Sequence, residues 1–146
     1  MVATEMASGS GIHIERTFAH PRAKVWSAMA SAEMMSKWLM LADGYEPVVG
    51  TKFRLTPIDG KAKGWRGFVD CVVLAVDEGR LLRFSWEGDP GKVQTVTFTL
   101  RDDGAGTKLT LDHDGFHGAG GFVLAKFILG PGWRGKILGR LDAVLG

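Results

Sequence analysis

The sequence has a single cysteine, Cys71, in 146 residues, so it holds no internal disulfide and no cysteine-built zinc site. No apolar run approaches the length of about 18 residues that a membrane span needs. The formal charge is only +2 and the basic residues are scattered, which argues against the concentrated stripe of a nucleic-acid binder. The first residues lack the basic-then-apolar layout of a signal peptide, and the cytoplasm is the default compartment. No glycine-rich phosphate loop separates a strand from a helix, and no glycine-framed serine marks a nucleophile elbow. The acidic pair Asp102-Asp103 falls in a turn, where hydration accounts for it. Catalysis therefore has little positive support in the spacing of residues.

What the sequence does have is one domain's worth of patterned chain. Hydrophobic residues make up 45% and charged residues 23%, ordinary for a globular protein, and 146 residues suit a single domain with a core. Residues 1–11 end in Ser8-Gly9-Ser10-Gly11 without an apolar pattern and read as a disordered tail. Residues 12–146 are then the domain. From Ile12, the apolar Ile14 and Phe18 alternate with His13, Glu15 and Thr17 as in a half-buried strand, and Arg16 takes an apolar-side position. Pro21 favours a first helical turn, followed by Val25, Trp26 and Met29. Ser31 can cap a second short helix carrying Met34, Met35, Trp38 and Leu39.

Strand patterns follow. Phe53 and Leu55 alternate against Lys52 and Arg54; the run from Trp65 to Val76 is rich in strand formers; Leu82, Phe84 and Trp86 alternate with Arg83, Ser85 and Glu87. Val96, Phe98 and Leu100 alternate with threonines, and Leu109 and Leu111 with Lys108, Thr110 and Asp112. Short turns at Asp59-Gly60, Gly88-Asp89-Pro90-Gly91 and Asp102-Asp103-Gly104-Ala105-Gly106 join them as a meander, so the sheet is antiparallel. In the last stretch Phe122, Ala125, Leu129, Trp133, Ile137, Leu141 and Leu145 recur at steps of three or four and predict a long helix. Gly130-Pro131-Gly132 predicts a kink or a break in it. One strand, two short helices, about six strands and a long helix make an α+β domain.

Several of these stretches resemble the START-like (SRPBCC) helix-grip superfamily, in the branch similar to the C-terminal domain of the heat-shock protein 90 ATPase activator. The resemblance rests on Ile14-Glu15-Arg16-Thr17-Phe18 with Pro21 and Val25-Trp26, on Lys37-Trp38, on Tyr45-Glu46-Pro47 with Gly50, and on Gly67, Asp77 and Arg80-Leu81-Leu82 through Trp86. The most specific part is Gly106 to Phe116, followed by Gly132-Trp133 and the closing Leu138 and Leu141. It implies a curved antiparallel sheet of six to seven strands wrapped around the C-terminal helix, with a cavity between them. Such proteins commonly bind lipids, sterols, polyketides or other apolar compounds, and some relatives are cyclases or dehydratases. The chain departs from the usual pattern over Gly118 to Pro131, where relatives commonly carry a charged helical run and this chain is apolar. The eukaryotic activator has an additional N-terminal domain for which this chain has no room, which sets chaperone activation behind ligand binding.

Against that cavity, the candidate wall residues are Trp38, Phe53, Trp65, Phe84, Trp86, Phe98, Phe116 and Trp133, because they exceed what one helix stripe needs. Their alternative is a packed core. His113 shares the parity of Leu109 and Leu111 and faces the same side. It is either a polar anchor, which in an enzyme would move a proton, or a histidine hydrogen-bonded locally at a strand end. Arg16 is either a clamp for a carboxylate or a paired arginine. His13, Glu15, Asp112, His113 and Asp114 offer metal-ligand atom types without a recognised metal spacing, so no metal and no cofactor are expected. The apolar surface from Phe122 to Leu129 either closes the pocket or meets another subunit as a homodimer, with chaperone contact as a further reading. The leading expectation is binding of an apolar or amphipathic small molecule.

Overall fold

The computed structural model describes residues 11–62 and 64–146; the expected tail, residues 1–11, lies outside them apart from Gly11. Seven strands form one antiparallel sheet: β1 (Ile12–Phe18), β2 (Leu41–Asp43), β3 (Lys52–Thr56), β4 (Val69–Asp77), β5 (Leu81–Asp89), β6 (Lys92–Asp103) and β7 (Gly106–Asp114). Their spatial order is β1-β7-β6-β5-β4-β3-β2, so β2 to β7 form a continuous meander while β1 crosses to pair with β7. Two short helices, α1 (Arg22–Ser27) and α2 (Ala32–Met35), fill the crossing. The long helix α3, residues 118–145, lies across the concave face of the curved sheet.

Alternation does the sorting. In β7, Thr107, Leu109, Leu111 and His113 are buried while the residues between them are more exposed, because successive side chains point to opposite faces. The register aligns Leu111 with Phe98 and Phe98 with Leu82, so three strands present apolar side chains in one row toward α3. From the helix, Trp133, Ile137, Leu138, Leu141 and Leu145 descend onto that row. Each such burial contributes about 1.5–3 kcal/mol, which makes the sheet–helix interface a substantial source of stability. Ser31 accepts a hydrogen bond from the Met34 N–H at 3.2 Å, the expected cap of α2.

Two local expectations are corrected. Of the kink or break predicted at Gly130–Gly132, the break is absent: Leu129, Gly130, Gly132 and Trp133 all have right-handed helical dihedrals. The interruption is absorbed as wider turns, π-helical over Leu124–Leu129 and Trp133–Ile137, and the Gly130 N–H reaches the Ala125 carbonyl five residues back. Gly130 is required there, since a Cβ would stand 2.7 Å from the Ala125 carbonyl oxygen. Trp65 is not in a strand. It lies in the β3–β4 connection, 38% exposed, and β4 begins only at Val69. Arg66 draws that connection down, its guanidinium bonded to the Phe68 and Glu87 carbonyls. The short strand β2 was not anticipated from the sequence, where three residues carry no readable period.

Candidate functional site

The alternation that builds the sheet also brings the candidate aromatics together. Trp38, Phe53, Phe84, Trp86, Phe98, Phe116 and Trp133 are all buried, and their rings touch in a chain. Tyr45 meets Phe53 at 5.0 Å between centroids, Phe53 meets Phe84 at 5.5 Å, and Phe84 meets Phe98 at 6.0 Å. Phe98 contacts both Trp38 and Trp133, and Trp133 stands 5.8 Å from Trp86. Most of these pairs are tilted or edge-to-face, the arrangement that the ring quadrupoles favour. Trp65 stands apart from the cluster on its loop.

At the β7 end of this chain sits His113, fully buried, with Trp86 at 5.0 Å and Phe116 at 4.7 Å between ring centroids. The Trp133 indole N–H donates to His113 Nδ1 at 3.0 Å, and His113 Nε2 lies 3.0 Å from Gln94 Oε1. An indole can only donate, so Nδ1 carries the lone pair and Nε2 carries the proton that it donates to Gln94. Burial pushes the imidazole down to about 3, so the ring is neutral at physiological pH. The result is a polar triad, Gln94, His113 and Trp133, joining β6, β7 and α3 inside an aromatic shell. Gln94 is the member that sequence reasoning missed. Its parity with Val96, Phe98 and Leu100 was the available signal, because that parity turns its amide to the same face as His113.

Arg16 takes another course. Its Nη1 donates to Asp142 at 2.8 Å and its Nη2 to the Arg134 carbonyl at 3.2 Å, so it ties β1 to α3. Arg140, not singled out from the sequence, donates to the Trp38 and Leu39 carbonyls and holds the segment after α2 against the helix. His13 lies on the outer face, 2.6 Å from Asp112 and 3.4 Å from Glu15, and the Asp112 hydrogen bond raises its pKa. Cys71 is buried, and desolvation pushes its thiol well above the ordinary range. A separate hollow of about 400 Å³ opens on the outer face of β3 to β6, around Lys52, Asp70, Val72, Ser85 and Glu87. There the Val72 N–H bonds to the Ser85 hydroxyl.

The first half of α3 is lightly seated. Between residues 118 and 130 only Ala125 and Gly130 are buried, while Phe122, Val123, Phe127 and Ile128 are 43–63% exposed. No helix among the described residues is long and apolar enough to cross a membrane.

A curved antiparallel sheet gripping a C-terminal helix, with two short helices after the first strand, defines a START-like helix-grip domain. Residues 19–146 match the profile of the Activator of Hsp90 ATPase homolog 1-like protein family, and the chain belongs to that family. Among solved structures it is similar to protein MLL2253 from Mesorhizobium loti, with 30% identity, a TM-score of 0.74, and 92% of this chain and 96% of that one covered. It also resembles DynU16, a protein of the dynemicin biosynthetic locus (25% identity, TM-score 0.77, 93% of this chain), although it spans only 47% of that longer chain. The Aha1 dimer from Colwellia psychrerythraea shares the fold at 16% identity and a TM-score of 0.71, with 92% and 95% of the two chains covered. No curated protein matches the sequence.

Proposed function

We propose that this protein binds an apolar or amphipathic small molecule, of lipid, sterol, polyketide or aromatic type, between the sheet and α3. The observation that carries the reading is a polar triad of Gln94, His113 and Trp133 enclosed by the rings of Trp86, Phe98 and Phe116 between the sheet and α3. A binding site for an amphipathic compound needs that combination of apolar walls and a few fixed polar atoms. Trp86, Phe98, Phe116 and Trp133 are its walls and His113 its polar anchor; Trp38, Phe53 and Phe84 back them. Arg16 is engaged with α3 and Trp65 faces solvent, so neither serves in this reading. A cyclase or dehydratase role for His113 is disfavoured, because its one basic nitrogen already accepts the Trp133 N–H and its pKa lies far below neutrality.

Native mass spectrometry of protein purified from its own host tests the proposal. The expected result is a stoichiometric compound that leaves on denaturation. Empty protein that also fails to take up apolar probes overturns it. A second reading, self-association or contact with a chaperone, is favoured by Phe127 and Ile128, which are 63% and 58% exposed on one helix. DynU16 comes from a biosynthetic locus and Colwellia Aha1 is a dimer, so relatives of this fold accompany both kinds of setting.

A further inference from the structure

We infer that the outward face of α3 from Phe122 to Ile128 docks on an anionic phospholipid surface. Its apolar side chains enter the boundary between headgroups and acyl chains, and Lys126 meets the negative headgroups. This goes beyond the ligand-binding reading and does not depend on it.

This face differs from the rest of the surface. Phe122, Val123, Phe127 and Ile128 are 43%, 47%, 63% and 58% exposed within two turns of one helix. The other large exposed apolar residues are dispersed: Leu41, Ile58, Trp65, Leu74 and Val93 stand singly on separate strands and loops, and Val48 and Val49 share one loop. From Gly118 to Gly130 the only polar side chain is Lys126. A protein partner is ordinarily held by about one hydrogen bond per 100–200 Å² of interface, and this face has a single side chain to offer. A lipid boundary asks for no such bonds where the backbone is paired within a helix.

Charge selects the kind of surface. No acidic residue occurs between Asp114 and Asp142, a stretch that carries Lys126, Arg134, Lys136 and Arg140. Arg140 is committed to the carbonyls of Trp38 and Leu39, and Lys136 lies close enough to Asp59 to help lower its pKa. Lys126 and Arg134 form no salt bridge among the described residues. The Lys126 ammonium stands 5.5 Å from the Phe122 ring centroid and 5.8 Å from that of Phe127, so it sits within the apolar patch. Arg134 Nη1 lies 3.2 Å from where a Cβ on Gly130 would stand, which brings the guanidinium back along the helix toward the patch. A second copy is the poorer occupant. In a two-fold contact the patch meets itself, so each Lys126 would be buried against a face holding positive charge alone, which is costly. On a membrane the lysine stem lets the ammonium reach anionic headgroups while the rings and aliphatic chains go deeper.

The test is co-sedimentation of the whole protein with vesicles of phosphatidylcholine alone and of phosphatidylcholine with about one third phosphatidylglycerol. Binding to the anionic vesicles is expected to be at least about tenfold tighter, because each basic residue near the surface adds attraction. Raising the salt to about 0.5 M should remove most of that advantage by screening. Phe127→Ser should weaken binding about tenfold through lost apolar burial, and Lys126→Glu about tenfold or more through reversed charge. Both side chains are exposed, so circular dichroism should show both variants folded. Failure to bind either vesicle, equal binding to the two compositions, or binding unmoved by Phe127→Ser overturns the inference. A dimer that Phe127→Ser dissociates, without vesicle binding, assigns the face to a second copy and overturns it as well. Each of these results leaves the ligand-binding reading intact, since that reading is decided by the compound released in native mass spectrometry.

Discussion

The two halves of α3 carry comparable numbers of large apolar residues and use them in opposite ways. From Trp133 to Leu145 the helix buries Trp133, Ile137, Leu138, Leu141 and Leu145 against the sheet, and Arg16 and Arg140 tie it to β1 and to the segment after α2. From Gly118 to Leu129 it buries only Ala125 and leaves Phe122, Val123, Phe127 and Ile128 facing out. Hydrophobicity by itself therefore does not say what a helix is for. The difference is geometric: the second half keeps its stripe over the row of Leu82, Phe98 and Leu111, while the first half approaches along a glycine-rich entry, Gly115, Gly118, Gly120 and Gly121. The junction between them, Gly130–Gly132, sits directly before the tryptophan that completes the polar triad.

The sharpest way to break this comparison is to truncate one side chain in each half. Leu141→Ala should lower stability by about 2–5 kcal/mol, the cost of a cavity under a fully buried leucine. Denaturant unfolding measures it, and a loss below about 1 kcal/mol would mean that the seated half is not the staple described here.

Acid gives the next effect. The His113 pKa is depressed from 6.5 to about 3 by burial, so below pH 6.5 the unfolded chain takes up a proton that the folded chain refuses. The corresponding stability is fully present above pH 6.5 and is lost as the pH falls toward about 3, at a slope of about 1.4 kcal/mol per pH unit. His13, whose pKa is raised by Asp112, acts in the opposite sense, contributing below pH 6.5 and ceasing to contribute as the pH rises through its raised value. Being exposed, it is a small correction. Unfolding of the natural protein and of His113→Gln across pH 7 to 4 isolates the buried ring: the natural protein should lose stability relative to the variant as the pH falls, and parallel curves would exclude His113 as the cause.

Trp133→Phe keeps a ring in place but removes the donor to Nδ1, and should cost about 1–3 kcal/mol. Smallest of all, Phe127→Ser in the lightly seated half should change stability by no more than about 0.5 kcal/mol. If the exposed face serves self-association, sedimentation should show that the same change shifts the protein toward monomer. A large loss of stability from Phe127→Ser would instead place that residue in the folded core and erase the contrast between the halves.

Much of this was legible in the chain. Alternation in β5, β6 and β7 pointed the right residues inward, including His113, because a period of two leaves only two faces to choose from. The cap at Ser31 and the apolar stripe of α3 were also readable. Gln94 carried the correct parity, yet a glutamine in an apolar row signals nothing until its partner is known. Three other features were not readable. Trp65 has the composition of a strand, but Arg66 holds it in a loop through carbonyls two and 21 residues away. Gly130-Pro131-Gly132 has the composition of a break, but wider turns carry the helix through it. Arg16 had a pocket-facing parity, but its partner lies 126 residues away on α3.

The sequence by itself determined which face each side chain of the sheet takes, the class of fold, and the presence of a lone histidine among aromatics. Those follow from backbone periodicity and solvent avoidance, which act locally along the chain. Only the tertiary structure decided that Arg16 serves the helix, that Trp133 meets His113, and which imidazole nitrogen keeps its proton. These depend on which donor reaches which acceptor across long separations, and hydrogen bonds of about 3 Å tolerate no partner that packing has not brought into place.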